Sequence, residues 1–439
     1  MHQFLAQAAT ETTSPTNWSA AWSVVQQFWP VLVLTLAASL ILTPAMRKLA
    51  LANGIVDLPD ARRKAHARPV AYLGGLAIFL GWLVGLIAFI AMLTSGIPAN
   101  TLPDLIGDNL SSIVYIAIGA TAIVVTGLID DVYGIRARVK IGGQLFAAAA
   151  IAQTRAVEDV LYRSFQIIEI TPSDFMMQVV GTAAIAVLVV GACNAMNLID
   201  GVDGLASGVT GIAMAGMLAI CLLALARYHD DIRVASQTGI PMLLSIATIG
   251  AIAGFLVYNF NPASIFMGDT GSLLLGYLCV TTILFMGRID NDTGLSPMVF
   301  SSALICFALP MTDTALAIVR RKLNGRPIFA PDAMHIHHMF RRCGFSVKQT
   351  ALSMYLIGLV FAGMGYALLA LNLRWKTALA GFGMTVLFIL IVGILVSRRL
   401  ERTEAAHPKP AEAPDSPGSK DQDTTKSPPS APQQPAQAG

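Results

Sequence analysis

The sequence predicts an all-α, polytopic integral membrane protein with about eleven transmembrane helices, its amino terminus outside and its carboxyl terminus in the cytoplasm. Three observations carry that prediction. The 439 residues are 55% hydrophobic, with a mean hydropathy of +0.65. Only 13% are charged, about half the share found in a soluble domain. Apolar runs approaching the roughly 20 residues that a helix needs to cross hydrocarbon recur eleven times along the chain.

The runs lie near 28–50, 73–94, 111–129, 140–154, 176–196, 207–226, 238–258, 271–287, 297–318, 351–371 and 376–397, the fourth being the shortest. The polar sequence between them is scattered over short loops and cannot build a second core, so residues 1–400 read as one membrane-embedded domain. From Glu401 to Gly439 the chain is Pro, Ala, Ser and Gln with scattered charge. That composition buries too little apolar surface to offset ordering entropy, and a disordered cytoplasmic tail is expected. The first 27 residues lack a basic stretch followed by an apolar run and a small-residue site, so the first run is expected to remain as an anchor. Five cysteines (Cys193, Cys221, Cys279, Cys306 and Cys343) show no disulfide or metal spacing and read as reduced packing residues.

Eleven crossings divide the 29 Lys and Arg into two sets of loops. One set holds 22: Arg47 and Lys48, those of 62–68, 136–140 and 320–348, and those after Val396. The other holds seven. Loops rich in Lys and Arg stay in the cytoplasm, which fixes the orientation, whereas the net charge of +3 decides nothing.

Every chemically loaded loop falls on the basic side. Between runs one and two, Arg62-Arg63-Lys64-Ala-His66-Ala-Arg68 precedes Gly74-Gly75; Lys64 and His66 are candidates for phosphate contact, with lipid headgroups the alternative. After run three comes the Asp130-Asp131 pair, followed by Lys140 and Gln144. Adjacent carboxylates at a membrane boundary are costly unless they share a cation or a proton, and they oppose the dipole of a helix they end. After run five, Asn194, Asn197, Asp200 and Asp203 recur every third residue, which places the two asparagines on one helix face. Two Asp-Gly pairs then lead the backbone out of the helix. After run seven, Gly268-Asp269-Thr270-Gly271-Ser272 enters run eight directly; Asp269 or Ser272 would serve as a cap, and a carboxylate between glycines can also meet a ligand closely.

The longest inner loop joins basic residues to His335-Ile-His337-His338, and Asp313 lies near the inner end of run nine. An intramembrane carboxylate is a site candidate. Three histidines could suggest zinc, yet no nearby cysteine or further histidine completes a tetrahedral set; histidines among arginines suit a diphosphate better. The chain has no G-x-x-x-x-G-K-[ST], H-E-x-x-H or G-x-S-x-G run.

Taken together, Asp130-Asp131, the N-x-x-N-x-x-D-G-x-D-G-L run from Asn194 to Leu205, the F-M-G-D-x-G-S run from Phe266 to Ser272 and the His335–His338 cluster resemble the polyprenyl-phosphate N-acetylhexosamine-1-phosphate transferase family. The resemblance covers about residues 45–350. His-Ile-His-His is similar to the WecA-like branch, where MraY-type members carry three consecutive histidines. The lysine that MraY-type members place shortly after the aspartate pair is missing, and Lys140 is the substitute candidate.

The resemblance implies transfer of N-acetylglucosamine 1-phosphate from UDP-N-acetylglucosamine to undecaprenyl phosphate at the cytoplasmic face of a bacterial inner membrane, with UMP released to start a lipid-linked glycan. It implies magnesium, with manganese as a substitute, held by Asp269 with Asp130 or Asp131. Asp130, Asp131, Asp200 and Asp203 are the catalytic candidates, and which of the first pair acts as base stays open. Lys64, His66, Lys140, Asn194, Asn197, Asp313, His335, His337 and His338 are the substrate-binding candidates. The bilayer is a partner, nucleic acid is not expected, and a homodimer is left open. Another UDP-hexosamine or UDP-MurNAc-pentapeptide is the alternative donor. A transporter or a lipid-binding scaffold are the alternatives of other classes; carboxylates gathered at one boundary, without an inverted repeat, fit both less well.

Overall fold

In lipid every backbone polar group must be satisfied within its own segment, so apolar runs of this length fold as helices. The computed structural model describes residues 16–57, 69–94, 110–167, 169–290, 295–327 and 334–372, with 383, 387 and 391. All belong to one unit, Met1–Ile394. A short helix α1 (Trp18–Val25) and a 3₁₀ turn (Gln26–Phe28) lead into α2 (Trp29–Ala52), after which α3 (Gly74–Thr94), α4 (Leu110–Tyr133) and α5 (Ala137–Ala152) follow. Then come α6 (Glu158–Ile167), α7 (Asp174–Ile199), α8 (Leu205–Arg227), α9 (Ile232–Asn259) and α10 (Gly268–Met286). The chain continues through α11 (Ser296–Cys306), α12 (Ala308–Leu323), α13 (Ile336–Arg342) and α14 (Val347–Ala370).

Among the described residues eight helices are long and apolar enough to cross a membrane, or nine if α11 and α12, bent by 69° at Phe307, form one span. The all-α polytopic architecture therefore stands. The run at 140–154 is α5, whose 16 residues extend only about 24 Å at 1.5 Å per residue. The run at 376–397 lies outside the described residues apart from Gly383, Leu387 and Ile391, which are helical. The tail from Glu401 lies outside them entirely.

Helix α10 is the axis. From Thr270 to Met286 every residue is buried, and α3, α4, α7, α8, α9 and α11 all pack against it. Lipid offers no hydrophobic drive between helices, so such contact depends on close backbone approach. The first turns of α3 and α10 cross at Gly75 and Gly271; a Cβ on Gly75 would lie 2.1 Å from the Gly271 nitrogen, so no other residue fits there.

That crossing is held by a small backbone clip. Strands β1 (Val56–Asp57) and β2 (Val70–Ala71) pair antiparallel. Ala71 then bridges to Ile265, with Phe266 N–H donating to the Ala71 carbonyl at 2.8 Å. Gly74 and Gly75 N–H groups donate to the carbonyls of Phe266 and Met267 at 3.0 and 2.9 Å. The start of α10 is thus tied to the segment entering α3, and Asp269 sits on the first turn of the central helix.

Candidate active site

Helix α4 extends to Tyr133, four residues beyond its apolar run, so Asp130 and Asp131 stand on its last turn rather than in a loop. Their side chains diverge. Asp131 accepts the Asp269 and Thr270 N–H groups at 2.7 and 3.0 Å, and the Thr270 hydroxyl at 2.6 Å. It closes the amino end of α10, where free N–H groups and the helix dipole favour an anion. Gly268 just ahead has φ +66°, and a Cβ there would lie 2.5 Å from an Asp131 carboxylate oxygen. Both oxygens of Asp131 therefore accept from protein donors at the start of α10, which is the geometry of a helix cap. Neighbouring carboxylates that looked alike in sequence have different work.

Asp130 faces the other way. One oxygen accepts the Ile135 N–H at 2.8 Å, and the other lies 2.7 Å from the Lys140 ammonium. Lys140, on the first turn of α5, also bonds Asp269. Asp269 in turn accepts at its second oxygen from the Asn197 amide at 2.7 Å, and Asn197 donates to the Ser272 hydroxyl at 3.0 Å. Two carboxylates from distant helices thus share one cation, which offsets the cost of bringing two like charges together at the membrane boundary. Among the described residues no group of three or more His, Cys, Asp or Glu side chains could hold a metal ion. The facing oxygens of Asp130 and Asp269 are the donor set that fits magnesium, which takes one or two carboxylates with phosphate oxygens and water.

Asp200 ends α7, with Gly204 beyond it at φ +74° turning the chain into α8. Burial pushes its carboxyl up to about 8, and the charges of Asp269, Asp131 and Asp203 add to the shift, so Asp200 holds a proton at neutral pH. Asp203 accepts from the Asn261 amide at 2.8 Å and the Ala263 N–H at 3.0 Å, which fixes the turn ahead of α10. Asn194 lies one turn deeper than Asn197 and bonds Gln144.

The histidines meet the turn after Asp200 at Gly201. Asp313, 1% exposed on α12, accepts the Ile336 N–H at 2.8 Å and lies 2.9 Å from Nδ1 of His335. It sets the loop's position. The rings of His335, His337 and His338 cluster, with the last two centroids 4.2 Å apart. His337 packs on Gly201, where an added Cβ would lie 2.6 Å from its Nε2. Burial pushes the His337 imidazole down to about 3, with His338 adding and Asp313 opposing, so it is neutral in the folded protein. Lys64 and His66 lie outside the described residues.

Three further contributors lie outside the site candidates that the sequence offers. Tyr72 follows β2, its ring 6.1 Å from that of Phe266; burial and then hydrogen-bonded Asp57, with Asp131 and Asp269 nearby, push its phenol above the usual range. A lone tyrosine beside two residues of strand gives no periodic signal. Buried Asn259 accepts the Gly204 N–H at 3.1 Å and donates to the Ile265 carbonyl at 3.0 Å, joining the two site turns. Arg47 donates to the Ser264 carbonyl at 3.0 Å.

The arrangement brings a shared cation position, a protonated carboxyl and a histidine cluster to one end of the bundle. The model of "Glycosyl transferase family 4" matches residues 113–287, which contain all of these but the histidines and Asp313. A "Probable undecaprenyl-phosphate N-acetylglucosaminyl 1-phosphate transferase" of Bacillus subtilis is 35% identical over 360 residues, 82% of this chain and 88% of that protein. A "Decaprenyl-phosphate N-acetylglucosaminephosphotransferase" of Mycobacterium tuberculosis is 35% identical over 334 residues, 73% of this chain and 78% of that protein. A "Phospho-N-acetylmuramoyl-pentapeptide-transferase" of Shouchella clausii is 29% identical over 351 residues, 76% of this chain and 95% of that protein.

Proposed function

The chain belongs to glycosyl transferase family 4, and on that premise we propose that it transfers N-acetylglucosamine 1-phosphate from UDP-N-acetylglucosamine to a polyprenyl phosphate, with release of UMP. Undecaprenyl phosphate is the proposed acceptor, as the name of the Bacillus relative suggests. The active end faces the cytoplasm of a bacterial inner membrane, because the loops bearing it carry the excess of Lys and Arg. The observation that carries the reading is the Asp130–Lys140–Asp269 cluster, which lets a phosphate-bearing anion approach two carboxylates through a shared cation.

Two anions must meet, so charge neutralisation dominates the barrier. An acceptor oxygen forms a bond to the β-phosphorus of the donor as the bond to the bridging oxygen breaks, and UMP leaves with that oxygen. A phosphate monoester has its second pKa at about 6, so the attacking oxygen needs no protein base at neutral pH. This matches the use of Asp131 as a cap. Asp130 and Asp269 would hold magnesium, which supplies positive charge to the phosphates when bound. Lys140 keeps the two carboxylates together and presents its ammonium to the diphosphate. Asp200, protonated, adds no negative charge where the anions gather and can donate a hydrogen bond to them. The histidine cluster closes the far side of the nucleotide.

Purified protein with undecaprenyl phosphate, magnesium and a panel of UDP-sugars tests the reading. UMP release with UDP-N-acetylglucosamine is expected. Release only with another UDP-sugar would replace the donor, and none with any donor would remove the function.

A further inference from the structure

Gln144 stands on α5 one helical turn past Lys140 and is fully buried. Its Oε1 accepts from the Asn194 Nδ2 at 2.9 Å, and the same nitrogen donates to the Val190 carbonyl at 2.7 Å. A carbonyl can only accept, so the Val190 contact determines which end of the Asn194 amide bears hydrogens. The atom of Gln144 that meets Asn194 must then be its oxygen. Both N–H groups of Asn194 are consumed, and its Oδ1 accepts from no described residue.

Asn197 repeats the pattern. Its Nδ2 serves Asp269 and Ser272, so on one face of α7 two amide nitrogens point into protein. The oxygens are left for a ligand. An amide oxygen repels phosphate oxygens, which are acceptors themselves, and suits a hydrogen-bond donor on the sugar nucleotide.

Gln144 is also half satisfied. Its Nε2 is buried without a hydrogen-bond partner, at a depth where an unpaired N–H is destabilising. A residue placed there for stability alone would be apolar. We propose that Gln144 is a positioning residue of the transfer, holding the Asn194 amide with its oxygen turned to the sugar nucleotide. The inference rests on the function proposed above.

Gln144→Met and Gln144→Leu remove the lock while filling similar space. UMP release at varied UDP-N-acetylglucosamine should show kcat/KM for the donor falling about 10-fold in both, the effect of one hydrogen bond. KM for undecaprenyl phosphate should stay unchanged. Thermal unfolding should show a Tm equal to or above the wild-type value, which a structural residue would not give. In an Asn194→Ala background either substitution should bring no further loss. Unchanged donor kcat/KM, a fall in Tm parallel to activity, or a loss multiplying that of Asn194→Ala would each overturn the proposal. Absence of wild-type release sinks the proposed function and this inference with it, whereas wild-type release beside unaffected variants sinks only this inference.

Discussion

Asp131 accepts the Thr270 hydroxyl at 2.6 Å while also taking the two N–H groups at the start of the central helix. Its neighbour Asp130 instead faces Lys140 at 2.7 Å. One dipeptide therefore joins the scaffold to the chemistry: the carboxylate that builds α10 is adjacent to the one that shares a cation with Asp269.

The first prediction separates the pair. Asp131→Asn keeps the shape but turns an N–H toward a donor, and loss of a cap costs about 1–2 kcal/mol. Its Tm should fall clearly. Asp130→Asn should leave Tm near the wild-type value while lowering UMP release by about 100-fold. Thermal unfolding and turnover measured on the same preparations check both, and a stable Asp131→Asn would contradict the capping role.

Lys140 is the second test. Lys140→Met leaves two facing carboxylates without their shared cation, so turnover should fall by about 100-fold. The magnesium concentration needed for half-maximal rate should drop, because a competing charge has gone. An unchanged magnesium requirement would show that Lys140 and the ion do not share a position.

Asp200 gives a pH dependence. Its folded pKa near 8 exceeds the roughly 3.9 of an unfolded Asp, so the folded state binds the proton more tightly. Its stabilising contribution is complete below about pH 4 and is lost as pH rises toward 8. Asp200→Asn cannot ionise, so its Tm should exceed that of the wild type at pH 8, with the gap narrowing toward pH 5. A gap independent of pH would show that Asp200 is not buried in its neutral form.

Asp230, near the opposite end of the bundle between α8 and α9, is the control. Its side chain is 85% exposed beside His229, and Asp230→Asn should leave UMP release unchanged. A large loss would contradict the sidedness.

Much of the site is written in the sequence because its signals are local. The three-residue spacing of Asn194 and Asn197 predicts one helix face, and α7 runs far enough to put both on it. Asp-Gly turns and the intramembrane Asp313 are local too. The split between Asp130 and Asp131 is not, since it depends on Thr270, 139 residues away. The clip from Val70 to Gly75 escapes notice because strands of two residues have no period. Residues 297–318 read as one span, whereas the chain breaks at Phe307, where apolar residues on both sides hide the bend. Gln144 is adjacent to the recognised motifs, but its importance appears only when Asn194 is seen against it.

The proposed mechanism depends most on Asp269, which would hold the magnesium ion together with Asp130. UMP release by Asp269→Asn, with Tm recorded to establish that it folds, tests this most directly. A folded protein with no measurable transfer at any magnesium concentration is expected. Turnover near the wild-type rate would contradict it.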